Sequence, residues 1–461
     1  MLRVDLGSTS RYCDGLSRRS FLQLGVAGMA SLGLPQLLRA REQSAASLSG
    51  STKNTSVILL WLDGGPSHMD LYDMKPDAPA EYRGIWKPIR TKVPGMDITE
   101  LFPKQAQITD KFSLVRSLHH DTGDHFAGGF RMLTTKDLGV SGANTETKFP
   151  SIGAIVNREV GARKPNMPGY VGVPYAMSIG LRPGYFGPHM LGSAHKPFEP
   201  GGDPNLPNFN VANLNLTPGL TIDRLEERRE LNKVFDQAQK HLDRMPESAA
   251  MDKFNQQAFD FVRGATARRA FDINKEEPRL RDTYGRHNWG QSCLLARRLV
   301  EAGSTFVTVH FGGWDHHWDL KKGMENYLPI VDTAVSGLFT DLEERGLLET
   351  TLVVLCGEFS RTPKMNDGGN GGPPGSMGTP GRDHWGNSMF CLLGGGGVKG
   401  GLVVGSTDAK GERPHTRAVT PANIHATIYT VLGIDPKLNL FDHQGRPVPV
   451  LDDPTPISEL L

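Results

Sequence analysis

The sequence predicts an α/β fold: a three-layer α/β/α sandwich around a mostly parallel sheet. Three observations lead there. Apolar runs of strand length recur, the runs give way to loops bearing acids or imidazoles, and amphipathic helical stretches separate them. The first run, SVILLWLD (56–63), ends in an acid and a Gly-Gly-Pro turn, as a buried parallel strand would. FSLVRSL (112–118), STFVTVHF (304–311), TTLVVLCGE (350–358) and SMFCLLGG (388–395) have the same character. Helical spacing places Leu225, Leu231, Val234, Phe235, Ala238 and Leu242 on one face of 221–243. A second helix starts near Ser248 and carries Phe254, Phe259 and Val262, and two more span 289–302 and 326–347. An irregular and helical insertion interrupts the pattern around 160–285. Its first part, to about 220, is rich in Pro, Gly and Asn without periodicity and suits a lid over one end of the sheet.

The chain has 461 residues and a formal net charge of +1, enough for one large domain or two ordinary ones. The near-neutral balance, with no long basic run after the N-terminus, gives no electrostatic case for nucleic acid. Four cysteines, Cys13, Cys293, Cys356 and Cys391, show no CxxC spacing and outline no disulfide framework. Residues 17–24 read SRRSFLQL, followed by the apolar run GVAGMASLGLPQLL (25–38). Twin arginines before such a run resemble a twin-arginine export signal, and the run is too short and glycine-rich to span a membrane comfortably. The expected organisation is a signal and linker over 1–45 and one domain over 46–461. The expected partner is the twin-arginine export machinery and the expected location periplasmic or otherwise exported, with no stable membrane span in the mature protein.

In an open α/β sheet, sites form where strands end. Asp63 closes the first strand, with Ser67, His68 and Asp70 beyond it. Asp315 and His317 follow FVTVHF in GGWDHHWD (312–319), and Glu358 closes TLVVLC. Asp383 and His384 follow a glycine-rich loop (366–381), and His125 opens a helix in HHDTGDHFAGGFRMLTT (119–135). Carboxylates and imidazoles recurring at strand ends form the mixed O/N set that divalent ions take. Two ions about 4 Å apart would need roughly six to eight such ligands, and the chain offers that many. Arg361, three residues past Glu358, is the first choice for gripping an anion; Arg116, Arg131, Lys364 and Arg382 also lie near these motifs. Trp314, Trp318 and Trp385 flank the motifs as packing residues or as a sugar-stacking surface.

GGPSHMDLYDMKP (64–76), GGWDHHWD, CGEFSRTP (356–363), GRDHWG (381–386) and VTPANIHATIYTVLGIDP (419–436) together resemble a bacterial family of exported proteins. It is known as domain of unknown function 1501 and lies within the alkaline phosphatase/sulfatase-like superfamily. The resemblance runs over essentially everything after the signal and implies an alkaline phosphatase-like fold. It also implies one or two divalent ions (Zn, Mn, Mg or Ca). Asp63, or Asp70 as its competitor, Asp315, His317, Glu358, Asp383 and His384 would hold them. In the superfamily a Ser, Thr or modified Cys starts the helix that would carry the nucleophile; here His125 stands there. No Cys-x-Pro-x-Arg element exists, so a conventional sulfatase mechanism is disfavoured. The expectation is an exported metal-dependent hydrolase of a phosphate or sulfate ester, small or polysaccharide. Its nucleophile would be metal-activated water or His125, with Arg361 on the anion. The alternative is a non-catalytic, metal-stabilised binding protein of the cell envelope.

Overall fold

The computed structural model describes residues 54–138, 149–211, 224, 227, 264–369, 372–442 and 444–461. The export signal, the helical pattern proposed over 221–243 apart from 224 and 227, and the one starting near Ser248 lie outside them.

Seven strands form the central sheet: β1 Ser56–Asp63, β2 Phe112–Leu118, β3 Tyr170–Val173, β4 Phe306–Gly312, β5 Thr351–Cys356, β6 Met389–Gly394 and β7 Val403–Val404. Their order is β7-β2-β6-β5-β1-β4-β3. Only β6 runs against the others, so the sheet is mostly parallel. β1 lies between β4 and β5, in register Asp63↔Gly312 and Trp61↔Cys356. That register brings three strand ends level.

Among the described residues, five helices of at least eight residues cover the faces: α1 His125–Thr134, α2 Ile152–Glu159, α3 Asn288–Ala302, α4 Leu320–Glu344 and α5 Pro421–Leu432. Every residue of β1 is buried because alternate side chains enter two cores. Val57, Leu59 and Trp61 join Phe130, Ile155 and Ile428 of α1, α2 and α5. Ile58, Leu60 and Leu62 join Leu295 and Val335 of α3 and α4. This is the expected three-layer α/β/α arrangement. Local signals set the helix ends. Asp124 caps α1 by accepting from the Ala127 amide at 2.9 Å, an interaction worth about 1 kcal/mol. Gly303, with φ of 115°, closes α3.

The described part of the expected irregular insertion is not wholly irregular. Residues 170–173 are an edge strand of the main sheet, paired with β4. Beyond it, the Ile179 amide reaches Asp63 at the end of β1, and three short 3-10 turns follow between Gly184 and His195.

Candidate metal centre

The site forms where β1, β4 and β5 end. After Asp63 the chain turns through Gly64, whose φ is 115° and whose absent Cβ would lie 2.8 Å from the Asp315 amide nitrogen. No other residue fits there. The Gly64 amide donates to both Glu358 oxygens, at 2.8 and 3.1 Å. Past β5 a two-residue ladder pairs Arg361 with His384, which carries the GRDHW segment back to the site. Gly381 permits this return, since a Cβ there would strike the His317 carbonyl.

Three atoms then meet. Asp315 Oδ1 lies 3.0 Å from His317 Nε2 and 3.1 Å from His384 Nε2, and those two nitrogens are 2.9 Å apart. His125, the first residue of α1, brings its Nε2 to 3.3 Å from Asp315 Oδ2. The tautomers follow from what stands behind each ring. His317 Nδ1 faces Asp383 Oδ1 at 2.6 Å, His384 Nδ1 the Gly123 carbonyl at 2.8 Å, and His125 Nδ1 Glu358 Oε1 at 2.8 Å. The carboxylate or carbonyl behind each ring suits a proton on Nδ1, so with an ion bound each neutral ring would turn its Nε2 lone pair to the same point. Without the ion, protons on these nitrogens tie the rings to Asp315. Tetrahedral zinc, with Zn–N of about 2.0–2.1 Å, would space its ligands about 3.3 Å apart, close to the triangle found. The residues fit a divalent ion.

Charge in the cluster is displaced accordingly. Burial works against ionisation of Asp315, but hydrogen bonds from His125, His317 and His384 and the Arg361 guanidinium hold its carboxyl far below the usual range. Burial disfavours charge on His125, yet hydrogen bonds to Asp315 and Glu358 outweigh it and raise its pKa to about 9. The hydrogen bond to Asp315 also raises His317. Burial lowers His384. Burial likewise pushes the Glu358 carboxyl up, against the hydrogen bond from His125. The Asp315 side chain stays 45% exposed, so the centre opens to solvent.

Of the expected ligands, Asp315, His317 and His384 converge, joined by His125. Asp383 and Glu358 stand one step back and orient imidazoles. Asp63 is not among the converging atoms: its carboxylate accepts from the Ile179 amide (2.9 and 3.1 Å) and Trp61 Nε1 (3.1 Å) and faces His310 Nε2 (3.1 Å). Asp70 is not at the centre. It is fully buried against Arg382, at 2.8 Å, and Ser67, at 2.6 Å. Arg361, expected on the anion, is buried and spends its guanidinium on the Gly64, Gly65 and Arg382 carbonyls and on Asp315. It positions Asp315 instead. The other cations serve locally: Arg116 bonds the Asp97 carbonyl, and Arg131 pairs with Asp121 and Asp137. Trp314 is buried in an aromatic cluster with Phe311 and Tyr327, Trp318 lies beside the His317 ring, and Trp385 bonds the Glu412 carbonyl.

Sequence reasoning missed the Gly64 amide and the Gly123 carbonyl, which have no side chain to notice. It also missed His310. The signal for His310 was present: an imidazole on the same face of a buried strand as Phe306 and Thr308.

A family model described as "Protein of unknown function (DUF1501)" matches residues 54–461. No curated protein sequence matches the chain. Similar solved structures include the PsFucS1 sulfatase from Pseudoalteromonas sp., at 14% identity over 87% of this chain and 72% of that one, TM-score 0.36. The phosphonate monoester hydrolase of Agrobacterium radiobacter is similar at 13% identity over 88% and 77%, TM-score 0.34. The lipoteichoic acid synthase LtaP from Listeria monocytogenes is similar at 10% identity over 84% and 74%, TM-score 0.31. The chemistry has to be read from this chain's own side chains.

Proposed function

The chain belongs to the DUF1501 family, and we propose that it is an exported metal-dependent hydrolase of a phosphate or sulfate ester. The observation that carries this reading is the triangle of Asp315, His317 and His384, each imidazole oriented from behind and the whole open to solvent. When bound, a divalent ion would polarise the ester oxygen and ease loss of a proton from the attacking water. The chain's own residues do the rest. Arg361 and Gly64 fix Asp315 and Glu358, Asp383 and Glu358 fix the rings of His317 and His384's neighbour His125, and the N-terminus of α1 points its partial positive charge at the site.

Both ring nitrogens of His125 are engaged, one by each carboxylate, which argues for water rather than imidazole as the attacking group. The same engagement also favours a second reading, a metal-stabilised binding protein without catalysis. Metal analysis of protein purified without chelator, followed by assays on phosphate mono- and diesters and sulfate esters, separates the two. The expected result is one bound divalent ion per chain and hydrolysis lost in Asp315→Ala. Protein that holds no ion sinks both readings; protein that holds an ion but hydrolyses nothing leaves the binder. Export is tested by Arg18→Lys with Arg19→Lys, which should strand the precursor in the cytoplasm; unchanged secretion would refute the signal.

A further inference from the structure

Three cysteines lie among the described residues, and all three are free thiols. Two of them face each other. β5 and β6 run antiparallel, with Leu355 opposite Leu392 and Val354 opposite Leu393. One step further along the same register sets Cys356, the last residue of β5, against Cys391. Alternation along the strands agrees with that pairing: Leu355 and Leu392 enter one core, Cys356 and Cys391 the other. The Cys391 and Cys356 thiols are hydrogen-bonded to each other. Cys293 differs: it lies in the opposite core, among residues that include no second cysteine.

The pair is unequal and sits beside the metal centre. Cys391 is completely buried, whereas Cys356 ends its strand and keeps 4% exposure. The thiol nearer solvent is the one a small oxidant reaches first, and the thiol behind it is placed to close on the product. Directly opposed residues of an antiparallel pair have Cβ atoms about 4.5–5.5 Å apart, and a disulfide needs about 3.5–4.5 Å. Closing the pair therefore draws the end of β5 toward β6. In the sheet order β6-β5-β1 that direction is away from β1. Glu358 stands two residues beyond Cys356, and its carboxylate holds both the Gly64 amide, just past β1, and His125 Nδ1. Drawing Glu358 from Gly64 loosens the anchor that fixes it behind the His125 ring.

We propose that Cys356 and Cys391 are a peroxide-sensitive dithiol whose closure to a disulfide displaces Glu358 and lowers the affinity of the centre for its ion. The effect on affinity, though not the thiol chemistry, rests on the metal-dependent reading above. In the first step the Cys356 sulfur bonds to one peroxide oxygen and the O–O bond breaks. The departing hydroxide takes up the thiol proton as water, leaving a sulfenic acid on Cys356. The Cys391 sulfur then displaces that hydroxyl, which leaves as water with the Cys391 proton. Two thiols are oxidised to one disulfide, and one hydrogen peroxide is reduced to two waters.

The probe is hydrogen peroxide. The folded, metal-free full chain is treated, its remaining thiols are alkylated, and tryptic peptides are mapped without reductant. Arg361, Lys364 and Arg382 lie between the two cysteines, so their disulfide appears as a linked pair of peptides. The expected product joins Cys356 to Cys391 and leaves Cys293 alkylated, a sign that the core stayed closed. In Cys391→Ala, dimedone should capture a sulfenic acid on Cys356, and Cys356→Ala should leave Cys391 an unmodified thiol. Zinc affinity should fall about tenfold to hundredfold on oxidation, the range for loss of a group that orients a ligand. It should recover after treatment with a phosphine reductant that is then removed, and Cys356→Ala should keep its affinity throughout. No linked peptide in wild-type protein, or linkage only together with loss of the Cys293 thiol, overturns the dithiol. Linkage with unchanged zinc affinity overturns its effect on the centre. Reduced protein that binds no zinc overturns the metal-dependent reading, while the peptide map still decides the dithiol.

Discussion

At the scale of single residues, protons and a divalent ion would compete for the same lone pairs at the candidate metal centre. Hydrogen bonds to Asp315 and Glu358 raise His125 to about 9, so it holds a proton near neutrality in the ion-free protein, and the hydrogen bond to Asp315 shifts His317 in the same direction. A raised folded-state pKa contributes stability that is fully present below the unfolded imidazole value of about 6.5 and is lost as pH climbs through about 9. The ion-free protein should therefore lose this contribution between those values. Metal affinity should run the opposite way, since a ligating imidazole must give up its proton. Calorimetry at pH 6.5 and 9, in buffers of different ionisation heat, should show tighter binding at the higher pH and protons released at the lower. An affinity flat across that window would mean these imidazoles are not ligands.

At the scale of elements, the buried pair Asp70–Arg382 joins the turn after β1 to the segment that returns His384. Neither side chain is exposed, and Arg382 also bonds the Thr362, Pro363 and Tyr82 carbonyls. Asp70→Asn leaves a buried guanidinium uncompensated and should cost about 3–5 kcal/mol in chemical denaturation. If Asp70 were a ligand instead, metal content would fall with little change in stability. That alternative was open in the sequence because Arg382 lies 312 positions away, and nothing local to GGPSHMD announces such a partner. The same distance explains what else was hidden. Runs such as SVILLWLD and FSLVRSL announce their strands by apolar content alone, and β1 and β2 occupy those ranges residue for residue. β3 and β7 are too short to stand out, and the reversed direction of β6 is a property of the sheet rather than of MFCLLG. Loop composition named the residues that converge, but which acid faces the shared point and which stands behind a ring depends on rings and amides brought from other strands.

At the scale of the whole molecule, an ion at the triangle would act as a cross-link. Asp315 and His317 follow β4, His384 follows the ladder beyond β5, and His125 begins α1; these belong to segments far apart in the chain that meet above one sheet. An ion that binds only the folded state stabilises it by about 2.7 kcal/mol at a hundredfold excess over Kd. Chelation should therefore lower Tm, and reloading should restore it. The identity of the restoring ion carries further information. Two or three imidazoles with one carboxylate suit borderline ions, whereas magnesium and calcium demand oxygen ligands. Zinc or manganese should recover the Tm of the untreated protein, and magnesium or calcium at equal concentration should recover little of it. Equal recovery with calcium would place the ion among the carboxylates Asp63 and Glu358 instead. That would require the Ile179 amide to leave the Asp63 carboxylate.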